Sequence, residues 1–132
     1  MFDGRDLDDA ERLVDEWQAG IDERAARTRE LSAQLGGLTA EARSDDGLVT
    51  VAVNASGTIT RLELAEEIRQ RPADETARKI LGTLHAAQSA LLAQATTATE
   101  EALGADSPTA QAIIASYAAR QTPVPPVERQ DG

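Results

Sequence analysis

Between residues 5 and 35, apolar side chains recur at alternating intervals of three and four. With Leu7 as position a of a heptad, the a and d sites are Leu7, Ala10, Val14, Trp17, Ile21, Arg24, Thr28, Leu31 and Leu35. Seven of these nine are apolar, and Asp, Glu, Arg and Gln fill most positions between them. The spacing predicts a helix with a narrow apolar seam. At ~1.5 Å per residue that helix is a rod of roughly 45 Å, too long for a small globule to bury alone. Arg24 and Thr28 interrupt the seam. A snorkelling arginine stem and a tolerated threonine are the favoured explanation; a device that sets register or partner is the other.

After Gly36-Gly37, which suit a helix C-terminus, the period shortens to two. Leu38, Ala40 and Ala42 alternate with Thr39, Glu41 and Arg43, and a turn follows at Asp45-Asp46-Gly47. Val49, Val51 and Val53 then alternate with Thr50 and Ala52, the pattern of a half-buried strand. Asn54-Ala55-Ser56-Gly57 makes a tight connection to "TITRLEL". In that stretch Thr60, Leu62 and Leu64 share one face, and Arg61 and Glu63 the other. These elements predict a three-stranded antiparallel meander whose apolar face receives a helix.

That helix follows Pro72, with Asp74 and Glu75 in its first turn and Ile80, Leu84, Ala87, Leu91, Ala95, Ala98 and Ala102 along one side. Gly104 ends it. Ser107-Pro108 reads as an N-cap followed by proline at the first helical position, opening a short helix to about residue 120. The chain therefore divides into an α-β-β-β-α unit over 1–104, a short C-terminal helix in 105–121, and a Pro-rich tail over 122–132 expected to be disordered.

Composition sharpens this picture in two ways. The apolar residues make up 41% of 132, but aromatics only 2%, so alanine and medium aliphatics must build the core. Such a core is thin, and association between chains is an economical remedy. Val14, Trp17, Ile21, Leu31 and Leu35 on the seam are the candidate dimer contacts. The second point is charge: 23 acidic against 13 basic residues give a net charge of −10, which disfavours unspecific attraction to polyanions. All the basic residues except Lys79 are arginine, a bias of GC-rich bacterial genomes.

Little chemistry is supported. Cysteine is absent and His85 is the lone histidine, with its nearest carboxylates in sequence ten or more positions away. Neither a triad nor a metal site can be assembled around it. No phosphate-cradling glycine loop is present. No enzyme, cofactor or metal is expected. The acidic start and the lack of any membrane-length apolar run point to a cytoplasmic protein with no membrane partner.

The succession of a long helix, "GLVTVAVNASGTITRLEL", and "ADETARKILGTLHAAQSA", with the opening Met1-Phe2 and Gly4, resembles the YbaB/EbfC family over residues 5–103. The resemblance implies an intertwined homodimer of α-β-β-β-α protomers that binds DNA in the nucleoid of an actinobacterium. DNA contact would run through backbone phosphates, so positive charge must be concentrated locally. The densest cluster is Arg69, Arg71, Arg78 and Lys79; Arg43 and Arg61 on the strands and Arg24, Arg27 and Arg29 on the first helix are further candidates. Carboxylates adjoin most of them, so ordinary salt bridging competes with DNA contact at each. The acidic balance equally suits a dimeric adaptor, of the kind associated with type VII secretion loci, that takes a protein partner and no DNA.

Overall fold

The structure is a computed structural model and describes residues 4–121. Within them the order is α1 (Gly4–Gly36), β1 (Ala40–Arg43), β2 (Val49–Val53), β3 (Ile59–Leu64), a 3-10 turn (Glu66–Gln70), α2 (Ala73–Leu103) and α3 (Pro108–Ala118). This is the α+β succession that the periodicities predict. The 3-10 turn is an addition, because so short an element carries no periodic signature. The Pro-rich tail and the opening Met1-Phe2 lie outside the described residues.

Each junction has a local cause. At the β1–β2 turn, Asp46 Oδ1 accepts from Ser44 Oγ at 2.7 Å and from Leu48 N at 3.1 Å, and Ser44 Oγ accepts from Val49 N at 3.0 Å. At the β2–β3 turn, Asn54 Oδ1 accepts from Ser56 N and Thr58 N at 3.0 and 3.2 Å. Gly57 there has φ +81°, open to glycine at little cost. Ser107 caps α3 by accepting from Ala110 N at 3.3 Å, with Pro108 behind it as expected.

The strands form one antiparallel sheet in the order β1-β2-β3. Val49, Val51 and Val53 are wholly buried beneath α2, which crosses β1 and β2. Leu84, Ala87, Leu91, Ala95 and Ala98 of α2 complete the core, joined by Leu31 and Leu35 from the end of α1. Tyr117 of α3 is the aromatic residue of that core.

One feature departs from simple alternation. Leu64 and Leu62 stand opposite Val49 and Val51, but an irregularity at Ala52/Val53 brings Ile59 opposite Val53. Ile59 therefore replaces Thr60 on the apolar face, and Thr60 Oγ1 donates to Ala52 O instead. A second departure has larger consequences. The receiving helix spans only two strands, so every residue of β3 is exposed.

Candidate nucleic-acid interface

Each of the four cations at the sheet-to-helix junction has a carboxylate beside it. Arg69 Nε lies 3.3 Å from Glu66, Arg71 Nη1 3.8 Å from Glu75, and Arg78 Nη2 3.7 Å from Asp74. The helical period accounts for the Glu66–Arg69 and Asp74–Arg78 pairs, since residues three or four apart share a face, whereas Arg71 stands just before α2 and meets Glu75 in its first turn. Lys79 reaches further. Its side chain is only 18% exposed, and its ammonium pairs with Asp46 on the β1–β2 turn and lies 4.0 Å from Glu75. The Lys79 ammonium, with help from Ser44 Oγ and Leu48 N, holds the Asp46 carboxyl well below the usual carboxylate range. Lys79 thus fastens α2 to a turn.

On the sheet, Arg61 pairs with Glu41 across two strands and lies 3.4 Å from Glu63. Arg43 has no ion pair among the described residues and donates to Gly47 O at 3.4 Å. A cleft of about 500 Å³ beside Lys79 is lined by Arg43 and Lys79 on one side of the charge balance and Asp45 and Asp46 on the other. It is no anion pocket. On α1, Arg27 lies 3.7 Å from Glu23, whereas Arg24 and Arg29 form no ion pair among the described residues.

These pairs are mostly solvent-exposed, and exposed pairs are each worth about 0–1 kcal/mol. An incoming phosphate can therefore compete for the arginines. The displaced carboxylates stay close by, however, and subtract from the attraction.

The seam divides into two parts. Leu31 and Leu35 are 2% and 8% exposed, consumed by their own chain's core. Val14, Trp17 and Ile21 are 55%, 67% and 41% exposed, on a stretch of α1 that projects past the sheet. Leu7 and Leu13 extend this apolar surface. A second exposed apolar surface is formed by Ile59, Leu62 and Leu64 on β3. The alternation marks Leu62 and Leu64 as a core face, with Thr60 where Ile59 stands, and gives no sign that α2 stops short of them. Among the described residues no group of histidines and carboxylates is placed to hold a metal, and no helix is long and apolar enough to cross a membrane.

A long helix, a three-stranded meander and a second long helix across two of its strands define a fold with uncovered apolar faces. The chain belongs to the YbaB/EbfC DNA-binding family, whose model matches residues 8–106. The matched span takes in α1, the sheet and α2 but stops before α3. No curated protein and no solved structure matches the chain.

Proposed function

We propose that the protein is a homodimer that binds duplex DNA in the nucleoid, in the cytoplasm, through backbone phosphates and without sequence preference. Membership of a DNA-binding family carries the DNA assignment. The dimer rests on a separate observation, the two uncovered apolar faces. Trp17, Val14 and Ile21 on the arm and Ile59, Leu62 and Leu64 on an edge strand form surface that monomers rarely expose to water. A second copy covers both by a reciprocal exchange, the arm of one protomer lying against the sheet edge of the other.

Binding is expected to be modest. The arginines available to phosphates, including Arg43, Arg61, Arg69, Arg71 and Arg78, are mostly shared with carboxylates, and the whole chain carries −10. Few aromatics are present, so stacking on single strands adds little. Fluorescence anisotropy of an unrelated duplex titrated with the protein at two salt concentrations is the test. Weak binding that steepens as salt is lowered supports the reading; no binding at the lower salt, where screening is least, ends it.

The same ion pairs favour one second reading. A dimer whose junction cations are already neutralised suits an acidic adaptor that takes a protein partner and leaves DNA alone. A flat anisotropy titration with an intact dimer is the result that would select it.

A further inference from the structure

Acidic groups reach into four clefts among the described residues. Asp45 and Asp46 line the one beside Lys79, Glu41 the one beside Arg61, Glu11 and Asp15 one on the arm, and Glu101 one on α2. A groove of about 510 Å³ between the end of α1, the β2–β3 turn and α3 has no carboxylate in its lining, in a protein of net charge −10. Its charged member is Arg120. Its floor is apolar: Leu31, Leu35 and Tyr117 are core residues that show an edge there, and Ile113 is half-buried. Thr28, Ser32, Ser56 and Ser116, all exposed, bring hydroxyls to the rim.

Arg120 is held in place without a counter-ion. Its guanidinium lies 4.1 Å over the Tyr117 ring, and Nη1 donates to Ala55 O at 3.0 Å. The ring is fixed in turn, since Tyr117 is buried and its hydroxyl donates to Leu35 O at 3.4 Å. Among the described residues Arg120 forms no ion pair, although the chain carries 23 acidic residues. A planar fork already stacked and bonded loses little freedom when a carboxylate arrives. α3 and the turn after it supply Ile113, Ser116, Tyr117 and Arg120, and all four lie beyond the family-matched residues.

We propose that this groove docks an acidic peptide segment of a protein partner, with an aliphatic side chain on the floor and a neighbouring carboxylate on Arg120. The charge pattern decides the class of partner. Duplex DNA presents one charge per ~1.7 Å of axis and calls for a row of cations, whereas one arginine beside an apolar floor matches a single carboxylate beside an aliphatic group. The net charge of −10 repels an acidic segment at a distance, but beyond ~8 Å physiological salt screens that repulsion. At contact the lining decides, and it holds no carboxylate. The groove shares no residue with the dimer faces or the junction cations, so it stands or falls apart from the DNA reading.

Titrating the ¹⁵N-labelled full chain with the capped tripeptides acetyl-Leu-Glu-Val-amide and acetyl-Leu-Gln-Val-amide tests it by amide shifts. The Glu peptide should give saturable shifts at Ser32, Gly36, Ser56 and Ser116, and the Gln peptide should bind about tenfold more weakly or worse. Arg120→Gln should cost the Glu peptide a similar factor and bring the two peptides level. Ser116→Glu leaves Arg120 in place and sets a carboxylate on the rim from an exposed position; it should weaken the Glu peptide more than the Gln peptide. No saturable shift at millimolar peptide, equal binding of the two peptides to the unaltered chain, or unchanged affinity in Arg120→Gln would each overturn the proposal. So would a short DNA duplex that shifts the same amides and displaces the peptide, because the groove would then belong to a DNA-binding face.

Discussion

Trp17 and Leu31 stand on the same seam of the same helix, two heptads apart, and meet opposite fates. Leu31 is 2% exposed inside its own chain, while Trp17 is 67% exposed on the projecting arm. The sheet repeats the contrast. Val51 and Leu62 face each other across a strand pair on one side of the sheet, but α2 covers only the valine. Periodicity reports which side of an element is apolar. What covers that side depends on where the neighbouring element runs out, and here α2 crosses two strands and α1 is longer than the body beneath it.

The largest effect expected from this division lies on its buried side. Leu31→Ala and Leu91→Ala should each destabilise the protein by about 2–5 kcal/mol, the usual cost of a missing side chain plus the cavity left behind. Thermal or denaturant unfolding measures it, and the effect should not vary with protein concentration. A cost below about 1 kcal/mol for Leu31 would mean that the end of α1 is not part of the core.

The exposed side should behave differently. Trp17→Asp or Leu62→Asp removes nothing from the core of one chain, but each places a charge on a face that the proposed dimer would cover, where an unpaired charge is costly. Light scattering should fall from about twice 14.0 kDa to 14.0 kDa in the variants, with helicity retained. A wild-type mass of 14.0 kDa at micromolar concentration removes the dimer. If Trp17→Asp dissociates the protein while Leu62→Asp does not, the arm pairs with something other than the sheet edge.

The residues read most easily were those whose role is local. Gly36-Gly37, Pro72, Gly104 and Ser107-Pro108 bound their helices where turn and capping chemistry put them, and Val49, Val51 and Val53 alternate into the core. Tyr117 and the β3 face were not legible, because both depend on neighbours distant in sequence: Tyr117 meets Leu35, and β3 is left open by the path of α2. The cationic cluster was half legible. Its density is a property of the sequence, but the partner carboxylates are assigned by helix geometry for Arg69 and Arg78, by the path of the chain into α2 for Arg71, and by the packing of α2 against a turn for Lys79 and Asp46.

Electrostatics at that cluster gives the next measurement. Changing Arg69, Arg71, Arg78 and Lys79 together to Ala should weaken binding on every duplex tested and reduce the slope of log affinity against log salt. Every phosphate that is no longer neutralised reduces the slope by about 0.9 for duplex DNA. A drop well below that of four phosphates is expected, because carboxylates already share the arginines. An unchanged slope would move the DNA-binding surface to Arg24 and Arg29 on α1, which carry no ion pair among the described residues.

The smallest effect concerns the clamp between Lys79 and Asp46, which fastens α2 to the β1–β2 turn. Asp46→Asn should lower the melting temperature slightly at neutral pH, since the Lys79 ammonium is deprived of its partner on the turn. The sign of the pH dependence follows from the direction of the shift. A carboxyl whose folded pKa is depressed contributes stability that is complete above its unfolded value and fades as pH falls toward the folded one. The gap in melting temperature between wild type and Asp46→Asn should therefore be constant from pH 7 to about 5 and narrow below about pH 4, where the unfolded carboxyl takes up its proton. Calorimetry of both proteins across that range measures it. A gap that stays constant to about pH 2 would show that neither Lys79 nor the bonds from Ser44 and Leu48 depress the Asp46 carboxyl.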